Sequence, residues 1–384
     1  MAVDSALLAI HELGSRWADR AFDAEQEGRI ASDTADELQS LEVHRFLQPM
    51  VHGGRQDSIH SHMRLVAAIG EYDVATSWCA AVWSIHNWMV ALFPDEGQKE
   101  VWADPSALTS ASIVPRAAFE TDGGDVSVHG RFSFASGCDH AGWLGVGGMA
   151  TFQTAGTEQI TPVICLLPAA EAAIDHDSWH VVGLSGTGSK DIVIEQPLRI
   201  PAHRVLRVAD AITRSAPGQL ADDRVLYRAP YRPTAILVLA APAIGAARAA
   251  VRRFRERLDG HQLFMVQSSQ RSDPAAGARL AESSADTNAA ELVLLDAARR
   301  LDEMAATPQE QLDPVDVATI HRDAAYGVRL CARAVDRLYE ASGGSSLQRD
   351  EPMQRIWRDV HAARSHAILT WDAAATNYAA AVLG

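Results

Sequence analysis

The sequence is poor in cysteine, in clustered positive charge and in long unbroken apolar runs, and each shortage closes off a class of function. Only four cysteines, Cys79, Cys138, Cys165 and Cys331, are scattered over 384 residues. A chain of this length buries enough apolar surface to stand without staples, so they read as reduced thiols of a cytoplasmic protein. No Cys or His pairs stand at zinc-finger spacing, and the lone Cys-x-His of Cys138 and His140 supplies too few ligands for a closed tetrahedral site, so no metal is expected. Lys and Arg number 34 against 49 Asp and Glu, a formal charge of −15, with no basic run. That balance repels phosphate backbones and anionic lipid heads, which argues against nucleic-acid and membrane partners. The longest charge-free apolar stretch, AILVLAAPAIGAA at 235–247, is short for a bilayer and is interrupted by Pro242 and Gly245. It predicts a buried helix, or two helices meeting at the proline. Asp4, His11 and Glu12 fall where a secretory signal needs a basic start and an apolar run, so no export signal is expected.

Two catalytic motifs are also missing. No Gly-x-Gly-x-x-Gly follows a strand, so the chain is not expected to bind a nicotinamide dinucleotide itself, and no Gly-x-Ser-x-Gly elbow offers a hydrolase nucleophile. Gly186-x-Gly188-Ser189-Lys190 resembles a phosphate loop, but Asp191-Ile192-Val193-Ile194 after it reads as a strand, where a phosphate loop runs into a helix. The segment reads as a hairpin turn.

What is present is an ordinary globular composition, 47% hydrophobic and 22% charged, arranged as α, then β, then α. In the first hundred residues Ile10, Leu13, Trp17 and Ala21 share a helical face, and Thr34-x-x-Glu37 after Asp33 looks like a cap opening a second helix. Residues 59–92 are rich in Ala, Met and Trp all round, which predicts burial on most sides. From Ser110 to about Val208, runs such as VSVHGRFSF, ITPVICLL and KDIVIEQPLRI predict an antiparallel β domain, and from Arg224 onward helices return. The expected class is α+β, with a helical domain over 1–109, a β-barrel or sandwich over 110–215 and a helical bundle over 216–384.

Chemistry-bearing residues gather in two places. FSFASGCDHAGW at 132–143 sets Ser136, Cys138, Asp139 and His140 in one short loop between aromatic residues. In RDVHAARSHAILTWD, Asp359 and His366 stand seven apart, a spacing that puts them on one helix face, with His361 pointing elsewhere. A lone helical histidine can equally be a satisfied packing residue.

The order of elements together with GRFSFASGCDHAGW, VGLSGTGSKDIVIEQPLRIPAHRV, ASGGSSL and QRIWRDVHAARSH resembles the acyl-CoA dehydrogenase fold. More narrowly it resembles the two-component flavin-dependent monooxygenases built on that fold, which include the p-hydroxyphenylacetate, steroid A-ring and dibenzothiophene oxygenases. The resemblance implies an oxygenase component, a homotetramer, that receives reduced FMN, or FADH2 as the alternative, from a separate NAD(P)H:flavin reductase. With O2 it would hydroxylate a small aromatic substrate by way of a C4a-hydroperoxyflavin. In that pattern Ser136 and Gly137 touch the flavin, the Ser136 hydroxyl reaching N5, and the Gly343-Gly344-Ser345 turn offers N–H groups to its phosphate. His366 acts as acid or base. His86 lines the pocket, with Trp83, Trp88, Ser112 and His140 about the substrate, while Cys138 carries no chemistry. Where acyl-CoA dehydrogenases place a glutamate base, this chain has Arg364 to Ile368 with no carboxylate. Rival readings are an acyl-CoA dehydrogenase with its base on another helix, an N-oxygenase of an amino sugar, and a member without flavin. The sequence departs from the family pattern at Pro115-Arg116-Ala117, where relatives show Pro-x-Gly, and at Gly183-Leu184-Ser185-Gly186, where many have Gly-Leu-Arg-Gly.

Overall fold

The computed structural model describes residues 3–154, 157–221, 225–260, 262–263, 268–269, 273–308 and 312–384. Helices α1 (Val3–Glu27), α2 (Ser32–Ser40), α3 (Ile59–Gly70), α4 (Val74–Val90) and α5 (Asp95–Val101) come first. Strands β1 (Thr109–Asp122), β2 (Asp125–Ala135), β3 (Trp143–Thr154), β4 (Thr157–Pro168), β5 (Ala173–Asp175), β6 (Lys190–Ile200) and β7 (Val205–Arg207) follow. After α6 (Val208–Ile212) and the long α7 (Tyr231–Gly260), β8 (Gln262–Leu263) and β9 (Ser268–Ser269) form a two-stranded ribbon. Helices α8 (Pro274–Ala306), α9 (Pro314–Ala341), α10 (Pro352–Arg364) and α11 (Trp371–Leu383) end the chain.

Ile10, Trp17 and Ala21 are buried on α1, as their shared face predicts. The second helix starts differently from its expected cap. Ala31 stands at the N-cap of α2 with no side-chain bond, and Thr34 and Glu37 lie inside the helix. Glu37 is drawn instead to α1, accepting from Trp17 Nε1 at 2.8 Å and from Arg20 at 2.9 Å. A tertiary ion pair has claimed the side chain that a capping box would use. The apolar stretch 59–92 is two helices: the first ends at Gly70, and Asp73 caps the next, its carboxylate accepting from the Thr76 N–H at 2.8 Å and the Thr76 hydroxyl at 2.7 Å.

The sheet runs β5-β6-β2-β1-β3-β4-β7. It is mixed, not antiparallel as expected, because β1 and β3 pair in parallel. β1 leaves its hairpin partner β2 after the register pairs Glu120↔Ser127 to Asp122↔Asp125, and β2 continues against β6 from Val126↔Ile200 to Ala135↔Lys190. A parallel pair needs a crossover, and β2 with the loop after it supplies one. The register of β1 slips between Ser112 and Ala117, where Pro115 has no N–H to give the ladder. That slip holds the departure at Pro115-Arg116, and Ile113 to Arg116 are exposed there.

Pro242 lies inside α7, so the apolar stretch is one helix and the proline does not divide it. The Tyr231–Asp259 span is apolar and long enough to cross a membrane, but 83% of its most apolar window is buried in the bundle. α7 packs on α3, α4, α8, α9 and α10. Its approach to α3 needs Gly245, since a Cβ there would run into the Ala67 carbonyl and the backbone of Gly70.

Candidate active site

Helix α4 is the spine of the site, because three of its side chains reach out to the turn between β2 and β3 or to the start of β1. Trp78 Nε1 donates to Ser136 Oγ at 3.2 Å, and Trp83 Nε1 donates to the Gly137 carbonyl at 3.2 Å. His86 Nδ1 lies 3.3 Å from the Thr109 carbonyl. A carbonyl can only accept, so Nδ1 carries the proton and Nε2 is left as the acceptor. Burial holds the His86 pKa down to about 4, so the ring is neutral at ordinary pH.

The turn itself is pinned from every side. Ser110 Oγ donates to the Ser136 carbonyl at 2.7 Å, and the Gly137 N–H donates to the Thr187 carbonyl at 2.8 Å. Gly137 adopts φ +69°, and a Cβ would sit 2.6 Å from the Trp83 indole nitrogen, so no larger residue fits. Cys138 Sγ is 3.5 Å from the Gly188 carbonyl, and burial, with Asp139 beside it, pushes the thiol up to about 12. Such a thiol is not a nucleophile. Asp139 takes the Lys190 ammonium at 2.6 Å, with the Lys190 side chain 4% exposed and that of Asp139 2%.

The segment Gly186 to Lys190, expected as a hairpin turn, has a larger part. Residues 176–189 between the neighbouring strands β5 and β6 contain the 3-10 turns His176–Ser178 and Ser185–Thr187, so no tight hairpin forms. The segment folds under the Ser136 loop. Ser189 Oγ lies 2.6 Å from Ser136 Oγ and 2.7 Å from Thr187 Oγ1, whose hydroxyl donates to the Leu184 carbonyl at 2.7 Å.

His366 does not share a helix face with Asp359, contrary to the seven-residue spacing. α10 stops at Arg364, Ser365 Oγ donates back to the His361 carbonyl at 2.8 Å, and His366 turns extended at φ −62°, ψ 133°. Its ring lies 5.6 Å from that of Trp78, centroid to centroid. His366 is exposed as a residue, yet the protein packed about it lowers its pKa by desolvation and favours neutral imidazole. Trp78 thus joins Ser136 to His366. The sequence reading missed it; the signal was its place eight residues before His86 on α4, about 12 Å along the axis at 1.5 Å per residue.

The other expected residues are placed apart from this group. Trp88 faces the opposite way, between Tyr227 and Tyr231, with Nε1 3.4 Å from the Leu226 carbonyl. His140 turns to the N-terminal helices, Nε2 3.0 Å from the Ile30 carbonyl, and lies edge-on to Trp83. Trp83 is 1% exposed, so it supports the loop from beneath. Ser112 Oγ donates to the Ser133 carbonyl at 2.6 Å. Gly343, Gly344 and Ser345 lie exposed at the turn between α9 and α10, where Arg257 donates to Ser345 Oγ at 2.9 Å.

Asp359 closes the back of the site, 3% exposed, its Oδ1 accepting from the Leu184 N–H at 2.6 Å. Burial above all, then the Asp73 carboxylate, pushes it up to about 7, against the pull of Arg355, Arg358 and that N–H. A raised carboxyl pKa means the folded chain keeps a proton that the unfolded chain has lost, so this contribution to stability is complete below pH ~4 and is lost as pH rises through about 7. Asp359→Asn keeps an acceptor for Leu184 and never ionises. Its thermal midpoint is expected to gain on the parent by a few degrees or more between pH 5 and pH 8, since each tenfold change that folding makes in the proton affinity of a carboxylate is worth about 1.4 kcal/mol. An equal offset at both pH values would sink this assignment.

Next to Ser136 the backbone is strained. Phe134 sits at φ +70° and is 64% exposed, edge-on to Trp179 with ring centroids 6.2 Å apart, and Val182, nearby in sequence, is 80% exposed. A bulky residue in that conformation is an outlier, and outliers cluster where ligands bind.

The acyl-CoA dehydrogenase C-terminal domain family matches residues 237–371. A flavin-dependent monooxygenase oxygenase subunit, HsaA, of Rhodococcus jostii is 32% identical over 356 residues, 91% of this chain and 90% of that protein. The oxygenase component of an FADH(2)-dependent resorcinol hydroxylase from a Rhizobium species is 30% identical over 95% of this chain and 90% of its own length. The crystal structure of the HsaA monooxygenase from Mycobacterium tuberculosis superposes with a TM-score of 0.90 at 30% identity, covering 100% of this chain and 98% of that one.

Proposed function

We infer the work of the site from one premise: this chain belongs to the oxygenase subunits of the flavin-dependent monooxygenases, on the acyl-CoA dehydrogenase fold. It takes reduced flavin from a separate NAD(P)H:flavin reductase and, with O2, hydroxylates a small aromatic substrate of the phenol type. The need for NAD(P)H sets it in the cytoplasm.

The observation that carries this reading is the group Ser136, Trp78 and His366, a hydroxyl and a neutral imidazole both set against one indole. The residues present suit a flavin. Exposed Phe134 and half-buried Trp179 offer apolar edges to a flat ring system, and Ser136, two residues after Phe134, offers a hydroxyl oxygen. Bound reduced flavin supplies two electrons and activates O2. Ser136 would hold the ring at N5. His366, neutral at pH 7, would take the phenol proton and return it, and His86 Nε2 would orient the substrate. The Gly343-Gly344-Ser345 turn, with Arg257 beside it, would receive the flavin phosphate, from a neighbouring copy in a homotetramer. Reduced FMN and FADH2 both suit such a site; the resorcinol hydroxylase's name favours the latter.

The test is titration of the purified chain with FMNH2 and with FADH2 under argon, followed by an oxygen pulse in the presence of a panel of phenols. A nearly colourless preparation, tighter binding of reduced than of oxidised flavin, and a hydroxylated product are expected. Stoichiometric oxidised FAD that bleaches with an acyl-CoA would identify a dehydrogenase instead.

A further inference from the structure

The hydroxyl row behind Ser136 has a fixed direction, and the end that fixes it is a carbonyl. Thr187 Oγ1 lies 2.7 Å from the Leu184 carbonyl oxygen, which can only accept, so the Thr187 proton lies on that bond. Thr187 Oγ1 must then accept at its 2.7 Å contact with Ser189, so Ser189 donates. Ser189 in turn must accept at its 2.6 Å contact with Ser136, so Ser136 donates. From the other side the Trp78 indole N–H, a donor only, reaches Ser136 Oγ at 3.2 Å. Each hydroxyl has one proton and two acceptor sites. Ser136 therefore turns its single proton to Ser189, gives one acceptor site to Trp78, and keeps one lone pair for a further donor.

The fixing end cannot easily turn. Leu184 sits at φ +55°, its N–H is held by Asp359 at 2.6 Å, and its carbonyl also accepts from the Thr187 N–H at 3.0 Å. Thr187 is 1% exposed and Ser189 6%, and both have their hydroxyl contacts taken up within the row and by the Leu184 carbonyl.

We propose that Thr187 and Ser189 are positioning residues that make Ser136 a hydrogen-bond acceptor toward the flavin, so that the site selects the reduced form. Reduced flavin carries a proton on N5 and meets the free lone pair as a donor. Oxidised flavin has a bare N5 and sets one lone pair against another. Selection of this kind lets the oxygenase capture reduced flavin from a reductase and release the oxidised form after turnover. The inference rests on the flavin reading above and on Ser136 standing at N5.

The experiment compares dissociation constants for FMN and FMNH2, measured anaerobically by flavin absorbance and fluorescence. Thr187→Val keeps the side-chain shape but removes both the proton given to Leu184 and the acceptor for Ser189, which frees the row to reverse. Ser189→Ala removes the acceptor for the Ser136 proton. Both variants are expected to cut the oxidised-to-reduced ratio of dissociation constants by roughly tenfold, the scale of one buried hydrogen bond made or lost. Thr187→Ser keeps the row and is expected to keep the parent ratio. A parent ratio in Ser189→Ala or in folded Thr187→Val overturns the inference, and so does a fall in Thr187→Ser as large as in the valine variant, since that is packing and not direction. Should Thr187→Val fail to fold, Ser189→Ala and Thr187→Ser still decide it. A parent chain that binds neither form of flavin overturns the flavin reading along with the inference; a parent that binds both, with unchanged ratios in the variants, overturns the inference alone.

Discussion

His366→Ala should bind reduced flavin within a few-fold of the parent and hydroxylate at least a hundredfold more slowly, the usual cost of a lost general base. The ring stands 5.6 Å from that of Trp78 on an exposed residue, and its surroundings favour the neutral form, which is the form that accepts a phenol proton. The same lowering extends the active range of the base to more acidic pH, so the acid limb of the parent's rate profile should fall below the ordinary imidazole pKa and vanish in the variant. Single-turnover reactions with chemically reduced flavin and the best phenol of a panel measure both. Product formed at the parent rate would make His366 a packing residue.

Ser136→Ala should affect both the preference for reduced flavin and the economy of its use. Removing a hydrogen bond to a buried polar group costs roughly 1–3 kcal/mol, a factor of about five to a hundred and fifty in a rate or an equilibrium. Oxygen consumption should persist, with the flavin returning oxidised and most of the consumed oxygen ending as hydrogen peroxide instead of in hydroxylated product. Cys138→Ser should leave that partition nearly as in the parent, because the thiol is held protonated and turned to the Gly188 carbonyl. The opposite result, full coupling in the alanine variant and collapse in the serine variant, would reverse the roles within the loop.

Texture and local spacing made much of this molecule legible. Alternating β-branched residues marked the strands, and the buried stripe of Ile10, Trp17 and Ala21 marked α1. Partners chosen across the chain were not legible. Glu37 stands where a capping box would put it, yet Arg20 and Trp17 hold it. β1 meets β2 in sequence but pairs along its length with β3, a choice set by the crossover and not by any turn residue. His366 has helical spacing from Asp359, but a helix end two residues earlier redirects it. The glycine-rich segment before β6 was legible as a turn; its hydroxyls were not legible as the floor of the Ser136 loop, since nothing local sets the two segments together. Trp78 was not distinguishable in sequence from Trp83 and Trp88, because α4 is apolar all round and such a helix does not announce which face holds a ligand.

The parallel pairing of β1 with β3 also bears on the order in which the chain can fold. Neither that pair nor β2 with β6 is closed by a tight turn, and distant pairings must meet the entropy of loop closure before any contact rewards it. Ser136 hangs at the end of β2, just past the Ala135↔Lys190 pair, so its row of hydroxyls cannot assemble before β6 has been made and docked. His366 arrives later still, after α10. During synthesis the helices of the first hundred residues must therefore wait, with the largely buried face of α4 uncovered, until the chain behind them is nearly complete.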